Sequence, residues 1–250
     1  MKRCALLLAA FLLCTPLLSG ECHPWYELPQ FVAGDSEVIA LIDLDGDEAL
    51  DLVGASSTRG VFTYRGRSGA FEPQRRVMAV GVRELAVIDL DGDRDQDVVA
   101  LAEDSPDVHL LKSDRGTLVP WKTLTMAGNT DNVAAGDFNG DGHSDFVIAS
   151  AGGTATTLMR GAGDGTFTPL PITLSTRNVD MAAGPLDNNR TTDLVVATSG
   201  STLLVLYGEV DGTLRGFPRA TVIAATQVAI ADVTGDGRND VAVAGAHHGH

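Results

Sequence analysis

Cysteine is scarce in this sequence, and its placement excludes a fold held together by disulfides. The 250 residues contain three cysteines, Cys4, Cys14 and Cys22. Cys4 and Cys14 lie in an N-terminal segment with the pattern of a cleavable secretory signal, so the mature chain keeps one cysteine and forms no internal disulfide. A small disulfide-rich scaffold is therefore excluded, and the folded chain must be stabilised by its core and by ions that it binds.

Other patterns are also absent, and each absence removes a class of function. The sequence has no cluster of Lys and Arg of the kind that marks a nucleic-acid surface. After the N-terminal segment, its apolar residues show no helical periodicity. The sequence has no G-x-S-x-G, no H-E-x-x-H and no cysteine placed to act with a histidine, so the common hydrolase constellations are missing. GAGDG from Gly161 precedes no helical pattern, so it fits a hairpin better than a phosphate loop.

The N-terminus has the features of a secretory signal. MKR precedes the apolar stretch CALLLAAFLLCTPLLSG, which is too short and wrongly flanked for a membrane span. Cleavage near Gly20 would divide the chain into a signal at 1–20 and a mature part at 21–250. Glu21 stands before Cys22, where a lipoprotein signal places a small residue, so a lipid anchor is disfavoured. We expect a secreted, periplasmic or cell-surface protein without a transmembrane span after cleavage, while retention of the signal as an anchor stays open.

An acidic nine-residue pattern recurs at an almost constant spacing. The five copies read DLDGDEALD, DLDGDRDQD, DFNGDGHSD, PLDNNRTTD and DVTGDGRND, at residues 43–51, 89–97, 137–145, 185–193 and 232–240. Their starts are 46 to 48 residues apart, which indicates a repeat protein. Four copies carry oxygen-bearing side chains at positions 1, 3, 5 and 9, with glycine at position 4 or at positions 4 and 6. The copy from Pro185 lacks the first oxygen and the glycine and is degenerate.

These loops predict calcium sites. Alternate positions of a tight turn can point at one centre, glycine allows the positive φ of such a turn, and hard oxygen ligands with a backbone carbonyl from position 7 suit Ca²⁺. An EF-hand is excluded, because position 12 holds no glutamate and a short apolar, strand-like run follows position 9. The predicted ligands are Asp43, Asp45, Asp47, Asp51, Asp89, Asp91, Asp93, Asp97, Asp137, Asn139, Asp141, Asp145, Asp187, Asn189, Asp193, Asp232, Thr234, Asp236 and Asp240.

The carboxylate count of each loop predicts the order of calcium affinity. The first two loops carry four carboxylates each and are expected to bind most strongly, and the third, which carries three, is expected to follow them. The fifth loop has Thr234 in place of a charged or amide oxygen and is expected to bind more weakly. Since Pro185 cannot supply a ligand at position 1, the fourth loop is expected to bind weakly or to serve only as a hydrogen-bonded turn.

The net charge of −15 follows from the same loops. Sixteen of the 33 Asp and Glu residues occupy predicted ligand positions, and the remaining 17 nearly balance 18 Lys and Arg. The low isoelectric point therefore indicates metal sites rather than a field that attracts cationic partners. The alternative, that Asp, Asn and Gly merely form surface turns, accounts for one copy but poorly for five copies in register.

The segments between the loops have the pattern of short β-strands. In one repeat VDMAAGPLD leads into the fourth loop, TDLVVATSG and TLLVLYG follow it, and DGT opens a further run, LRGFPRATVIA. Four antiparallel strands, the last two joined by a glycine-bearing hairpin and repeated about every 40 to 50 residues, predict the blades of a β-propeller. Parallel β-helices also contain Gly- and Asp-rich calcium repeats, but their period is far shorter. The predicted fold class is all-β.

The loops and hairpins together resemble the FG-GAP or VCBS repeats of integrin-α-like β-propellers. DFNGDGHSD followed by GAGDGTF is close to the pattern of that family, and the resemblance covers roughly residues 27–245. It implies blades that carry a calcium loop between their first two strands. Because the family includes adhesion heads, lectin-like modules and parts of larger secreted enzymes, the resemblance is more specific for fold and metal than for function.

The ends of the chain predict how the blades are completed. ELPQFVAGDSEVIALID from Glu27 aligns with PLPITLSTRNVDMAAGP from Pro169, so the N-terminal end is expected to supply a fourth strand without its first three. The stretch after Asp232 is long enough for two strands. We expect four complete blades and a partial or composite fifth, in either a five-bladed ring closed by residues 27–34 against 241–245 or an open arc of a larger propeller. The arc is preferred, because a ring lacking a strand leaves an unpaired edge.

Two functional hypotheses remain. The first is a non-catalytic, calcium-stabilised, exported module that binds an unknown protein or glycan. The second is the scaffold of a secreted polysaccharide lyase or hydrolase with acids at the mouth of the central channel. The regular spacing leaves no room for a long active-site insertion, which favours the first hypothesis. We interpret His247, His248 and His250 as a polar tail rather than a metal site, and Trp121 as a packed side chain rather than a sugar platform.

Overall fold

The computed structural model describes residues 37–67, 70–72, 74–150, 153–174, 176–199, 202–220 and 224–246. Within these ranges the regular elements are β-strands, and none of the described residues is helical. The same ranges accordingly contain no helix that is long and apolar enough to cross a membrane. The predicted signal at 1–20 and the terminal histidines lie outside the described residues.

Four four-stranded antiparallel sheets follow one another along the chain, and each is a blade of the predicted kind. The first blade contains β1 (Val38–Ile42), β2 (Asp51–Ser56), β3 (Gly60–Tyr64) and β6 (Arg75–Met78), with a small hairpin of β4 (Gly66–Arg67) and β5 (Ala70–Phe71). The second contains β7 (Val82–Ile88), β8 (Asp97–Ala102), β9 (Asp107–Ser113) and β10 (Leu118–Thr125).

The later blades repeat this order. The third contains β11 (Thr130–Gly136), β12 (Asp145–Ser150), β13 (Ala155–Gly161) and β14 (Phe167–Thr173). The fourth contains β15 (Asn178–Gly184), β16 (Asp193–Thr198), β17 (Thr202–Gly208) and β18 (Leu214–Ala220). The fifth consists of β19 (Ala224–Ala231) and β20 (Asp240–Ala246) among the described residues. The predicted all-β fold, with four complete blades and a partial fifth, is confirmed.

The burial of each strand explains its sequence. The second strands lie in the middle of the blade with a neighbouring sheet on both faces, and every residue of β8 and β16 is buried. Their runs of Val, Leu and Ala therefore do not alternate with polar residues, as expected for strands covered on both faces. The fourth strands lie at the outer edge, and most residues of β14 are exposed. Its Thr and Pro residues suit an edge strand.

The hydrophobic core lies between the blades. Val53 and Ala55 of the first blade pack against Val98 and Ala100 of the second, and an equivalent cluster lies between each later pair of blades. Burying one such side chain fully contributes about 1.5–3 kcal/mol, so the stability of each blade depends on its neighbours. The first strands of successive blades contact one another in the order β1, β7, β11, β15 and β19, and so line the middle of the propeller.

The first blade presents an open apolar face. Ile39 on β1 is 50% exposed, whereas Leu85 and Val133, at the same register position on β7 and β11, are 9% and 7% exposed. Leu85 and Val133 are covered by the preceding blade, and among the described strands no such blade covers Ile39. Residues 27–34, which are expected to pair with 241–245, lie outside the described residues, so closure of the ring stays a prediction.

Candidate metal centre

The backbone of four loops adopts the left-handed conformation twice, at positions 4 and 6. In the third loop these residues are Gly140 and Gly142, with φ of 72° and 85°. Position 6 is not glycine in the first two loops, where Glu48 has φ of 67° and Arg94 has φ of 75°. The loop glycines therefore have the expected positive φ. Glu48 and Arg94 also have a positive φ, which is unfavourable for a residue with a Cβ.

The carboxylate at position 1 holds this backbone in place. Oδ1 of Asp137 accepts a hydrogen bond from the N–H of Gly140 at 2.7 Å, and Oδ2 accepts one from the N–H of Gly142 at 2.8 Å. The equivalent N–H groups at positions 4 and 6 donate to Asp43, Asp89 and Asp232 in their own loops. Each of these loops therefore turns around its first side chain.

The carboxylate at position 9 is buried and joins the loop to the third strand of its own blade. Oδ2 of Asp97 accepts from the N–H of Leu90 at 2.9 Å and Oδ1 from the N–H of Ser113 at 2.8 Å. Asp145 and Asp193 form the same two bonds in their blades, and Asp51 accepts from Leu44 and from Gly66 of β4, which follows the third strand. Burial raises the pKa of Asp97 and of Asp145 to about 6, although these hydrogen bonds act in the opposite direction. A cation in the loop would favour the ionised form.

Position 3 has an unpaired oxygen in each of the first two loops. Oδ1 of Asp45 and Oδ1 of Asp91 are buried and accept no hydrogen bond from the described residues. A buried carboxylate oxygen without a partner is costly unless a cation or a donor faces it.

The position-3 carboxylates also lie close to two others. One oxygen each from Asp43, Asp45 and Asp51 lies within 4.8 Å of the other two, and so do oxygens from the second-loop residues Asp89, Asp91 and Asp97. Convergent carboxylate oxygens are the ligands that Ca²⁺ prefers. Positions 1, 3 and 9 of the first two loops therefore fit a hard cation.

Position 5 lies at the exposed rim of each loop. One oxygen of Asp47, Asp93 and Asp141 accepts the backbone N–H two residues later, at 2.8 to 3.0 Å. In the third loop the second oxygen of Asp141 accepts from Nδ2 of Asn139 at 2.9 Å, so the two predicted ligands contact each other directly. In the fifth loop Asp232, Thr234 and Asp236 are exposed, and Asp240 accepts the N–H of Thr234 at 3.1 Å.

The fourth loop satisfies its polar groups internally. Oδ1 of Asn189 accepts the N–H of Thr191 at 2.9 Å, and Nδ2 of Asn189 donates to the carbonyl of Gly208 at 3.2 Å. Neither position 4 nor position 6 of this loop has a positive φ. The loop has the contacts of a hydrogen-bonded turn, with Asp187 accepting the N–H of Asn189 at 2.9 Å.

Two basic side chains that sequence reasoning missed reach into the first two loops. Nη1 of Arg65 lies 3.1 Å from Oδ2 of Asp45. Nζ of Lys112 contacts Oδ2 of Asp91 and lies 2.9 Å from Oδ2 of Asp93. A signal was available, because aligning the repeats on position 9 places a basic residue 14 or 15 positions later in the first three blades.

Comparison with protein families identifies the repeat. Three overlapping parts of the chain match the FG-GAP-like repeat, at residues 89–148, 137–196 and 186–243, and together they span more than half of the sequence. The chain belongs to the FG-GAP-like repeat family. The first two matches each begin at an acidic loop and end in the second strand of the next blade, so the loop geometry described above is part of the FG-GAP-like unit.

Solved structures of similar fold are β-propellers. The crystal structure of BBS1N in complex with ARL6DN, soaked with mercury, has a TM-score of 0.60 and 11% identity over 82% of this chain and 60% of that chain. The crystal structure of Saccharomyces cerevisiae Sqt1 has a TM-score of 0.59 and 12% identity over 84% of this chain and 57% of that chain. The FG-GAP-like chain thus spans about three fifths of each, and the likeness concerns the fold alone. No curated protein matches the sequence.

At the end opposite the loops, the inner strands of the FG-GAP-like propeller carry polar side chains. Glu84, Asn132 and Asp180 occupy one register position on β7, β11 and β15. Burial raises the pKa of Glu84 to about 7, with a further contribution from the charge of Asp180. Burial also raises the pKa of Asp180, whose Oδ2 accepts the N–H of Val228 at 2.8 Å.

Proposed function

We propose that this FG-GAP-like chain is an exported, calcium-binding β-propeller module that is non-catalytic and binds a protein or glycan at the cell surface or outside the cell. The observation that carries the calcium proposal is the convergence of three carboxylates within 4.8 Å in each of the first two loops. The buried Oδ1 atoms of Asp45 and Asp91 point to the same conclusion, because no described cation or donor faces them, although Oδ2 of each carboxylate is paired with a basic side chain.

Each position of the loop has a separate task in this proposal. Position 1 fixes the turn through two backbone N–H groups, position 9 attaches the loop to the third strand, and positions 3 and 5 present the remaining oxygens. A bound calcium ion would neutralise the carboxylates that these contacts bring together. The residues that would hold it in the first three loops are Asp43, Asp45, Asp47, Asp51, Asp89, Asp91, Asp93, Asp97, Asp137, Asn139, Asp141 and Asp145.

The loop face is the best candidate for binding a partner. The hairpins between third and fourth strands lie at the same end as the acidic loops, and Nη2 of Arg65 joins the two by donating to the carbonyl of Gly116 in the next blade. Calcium would therefore stiffen a surface built from several blades. FG-GAP propellers are generally non-catalytic binding domains, which supports this assignment. The signal-like N-terminus supports export to a compartment where calcium is plentiful.

An alternative proposal is the scaffold of a secreted polysaccharide-degrading enzyme, and one observation favours it. Glu84 has a pKa of about 7, so its carboxylic acid could donate a proton near neutral pH. Asp180 supplies a second partly buried carboxylate on a nearby inner strand. If this alternative is correct, Glu84→Gln abolishes cleavage of a polysaccharide panel by the calcium-loaded chain, whereas no cleavage by the wild type removes the alternative.

The proposed function is tested by calorimetry followed by ligand capture. Calcium is titrated into the chelator-treated full chain, and the same preparation is then applied to a glycan array and to extracellular proteins, with calcium and with chelator. The proposal expects heat of binding and a partner that is retained only with calcium. A chain that neither releases nor absorbs heat at two temperatures is not a calcium module, and a chain that binds calcium but retains partners equally with chelator does not use the loop face for binding.

A further inference from the structure

One position at the end of the third strand, or directly after that strand in the first blade, distinguishes the acidic loops from one another. It immediately precedes the residue whose N–H binds the position-9 carboxylate. We call it the cation position. In the first four blades it is occupied by Arg65, Lys112, Arg160 and Tyr207. Since the same hydrogen bond defines the position in each blade, these four side chains start from equivalent places beside their loops.

In the first two blades the cation position is paired with position 3. Nη1 of Arg65 lies 3.1 Å from Oδ2 of Asp45, and Nη2 of Arg67 lies 3.6 Å from the same oxygen. Lys112 contacts Oδ2 of Asp91 and bridges to Asp93 at 2.9 Å. In both loops the other position-3 oxygen is the buried one without a partner. The basic group thus balances the charge of the carboxylate that the proposed calcium ion would use.

The third blade differs at both ends of this contact. Position 3 of its loop is Asn139, which is neutral. Like Arg65, which donates to Gly116, Arg160 lies against the hairpin of the next blade, where a Cβ on Gly212 would lie 2.3 Å from its Nη1. Among the described residues Arg160 forms no salt bridge with Asp137, Asp141 or Asp145. The third loop therefore combines three carboxylates with no internal counter-ion.

We infer that Arg65 and Lys112 are internal counter-ions that compete with calcium at position 3, so that calcium fills the third loop before the first and second. This inference rests on the proposed calcium function and concerns how the same sites are regulated. A basic group and Ca²⁺ at one carboxylate repel each other, so binding of the ion at the unpaired Oδ1 costs either this repulsion or the loss of the ion pair at Oδ2. The carboxylate count alone predicts the opposite order.

The inference also assigns different states to the loops when calcium is scarce. The first two loops keep a cation at position 3 and should hold their turn without calcium. The third has none, so the mutual repulsion of Asp137, Asp141 and Asp145 is relieved only by a bound ion. The propeller would then carry one loop that responds to low calcium and two that respond only at higher concentration.

Hydrogen exchange measured across a series of free calcium concentrations tests this directly. The N–H groups of positions 4 and 6 report each loop separately, because they donate to its position-1 carboxylate. In the wild type the protection midpoint of the third loop should be lower than that of the second. Lys112→Met should lower the midpoint of the second loop about tenfold, which is the effect of removing roughly 1.4 kcal/mol of competition.

Matched variants separate charge from packing. Lys112→Arg keeps the charge and should leave the second loop at its wild-type midpoint. Arg160→Met removes a basic residue at the same strand position and should shift neither loop. Arg65→Met makes an independent test in the first blade, so the inference remains testable if Lys112→Met does not fold.

The outcomes distinguish this inference from the calcium proposal. If calcium protects the loops but neither Lys112→Met nor Arg65→Met changes a midpoint, the internal counter-ion is overturned and the calcium module stands. If the second loop of the wild type is protected at lower calcium than the third, the inferred order is overturned. If calcium protects the loops neither in the wild type nor in the two methionine variants, the calcium proposal and the counter-ion inference are both overturned.

Discussion

The buried carboxylate of Asp97 accepts a hydrogen bond from the backbone N–H of Ser113, 2.8 Å away on the third strand of the same blade. Its other oxygen accepts the N–H of Leu90 at 2.9 Å, so one side chain closes the second loop against two segments of backbone. Position 9 therefore stabilises the blade whether or not an ion is bound.

Replacing this side chain should destabilise the chain even in chelator. Asp97→Ala leaves two buried N–H groups unpaired, and we expect the free energy of unfolding to fall by about 2–4 kcal/mol. Asp95→Ala, at the exposed position 7, should change it by less than about 0.5 kcal/mol. Urea unfolding of both variants measures the difference. Equal losses would show that position 9 has no special structural role.

Glu84 should make stability depend on pH. Burial raises its pKa from 4.5 to about 7, so the folded chain holds this proton more tightly than the unfolded chain. The resulting stabilisation is complete below about pH 4.5 and is lost as the pH rises through 7. Glu84→Gln should therefore exceed the wild type in stability by about 1–2 kcal/mol at pH 8 and by much less at pH 5.

Denaturant midpoints at the two pH values test this expectation. Glu72→Gln, which removes an exposed carboxylate beside a surface hairpin, is the matched control. Its stability should differ from that of the wild type by a similar amount at pH 5 and at pH 8. A Glu84→Gln variant whose advantage is the same at pH 5 and pH 8 would show that the Glu84 carboxyl is not desolvated in the folded chain.

Position 6 of the second loop offers a stabilising substitution. Arg94 has φ of 75°, whereas the third and fifth loops have glycine there with φ of 85° and 82°. A residue with a Cβ is disfavoured in this conformation by about 1 kcal/mol, so Arg94→Gly should raise the free energy of unfolding by about 0.5–1 kcal/mol. Arg94→Ala keeps the Cβ and should bring no gain. An alanine variant as stable as the glycine variant would refute the backbone explanation.

Truncation of equivalent side chains distinguishes an open arc from a closed ring. Leu85 is 9% exposed and Ile39, at the same register position, is 50% exposed. Leu85→Ala should cost about 2–4 kcal/mol, and Ile39→Ala less than about 1 kcal/mol, because little apolar area is lost from the core at Ile39. Comparable costs in urea unfolding would mean that Ile39 is covered in solution and would favour the ring closed through residues 27–34.

The repeat made most of the fold predictable. Within each blade the determinants are local: an acidic turn with glycine at position 4, a buried apolar run after position 9, and a glycine-bearing hairpin before the fourth strand. Most of these signals recur from blade to blade, because four of the five loops have glycine at position 4 and the first four blades have the glycine-bearing hairpin, so repetition strengthens a pattern that is weak in one copy. The degenerate loop from Pro185 was also recognisable, because proline cannot supply the side-chain acceptor on which the left-handed turn depends.

The contacts between elements were less predictable. Lys112 reaches the second loop from another strand, and its equivalent Arg160 turns to the next blade, although both are basic residues at one position. The sequence shows the shared position but not the direction of the side chain. The charge of Asp180 acts on Glu84 from another blade, a relationship that depends on the curvature of the propeller rather than on any local pattern.

The central claim, that the acidic loops bind calcium and thereby stabilise the propeller, is tested most directly by thermal unfolding of the full chain in chelator and across a calcium series. At a free calcium concentration 100 times Kd, each occupied site should add about 2.7 kcal/mol, so the account predicts a Tm that rises steadily with calcium. The variant with Asp47→Asn, Asp93→Asn and Asp141→Asn keeps the acceptor at position 5 but loses its charge, and should need more calcium for the same rise. A wild-type Tm that is identical in chelator and in millimolar calcium would contradict the account.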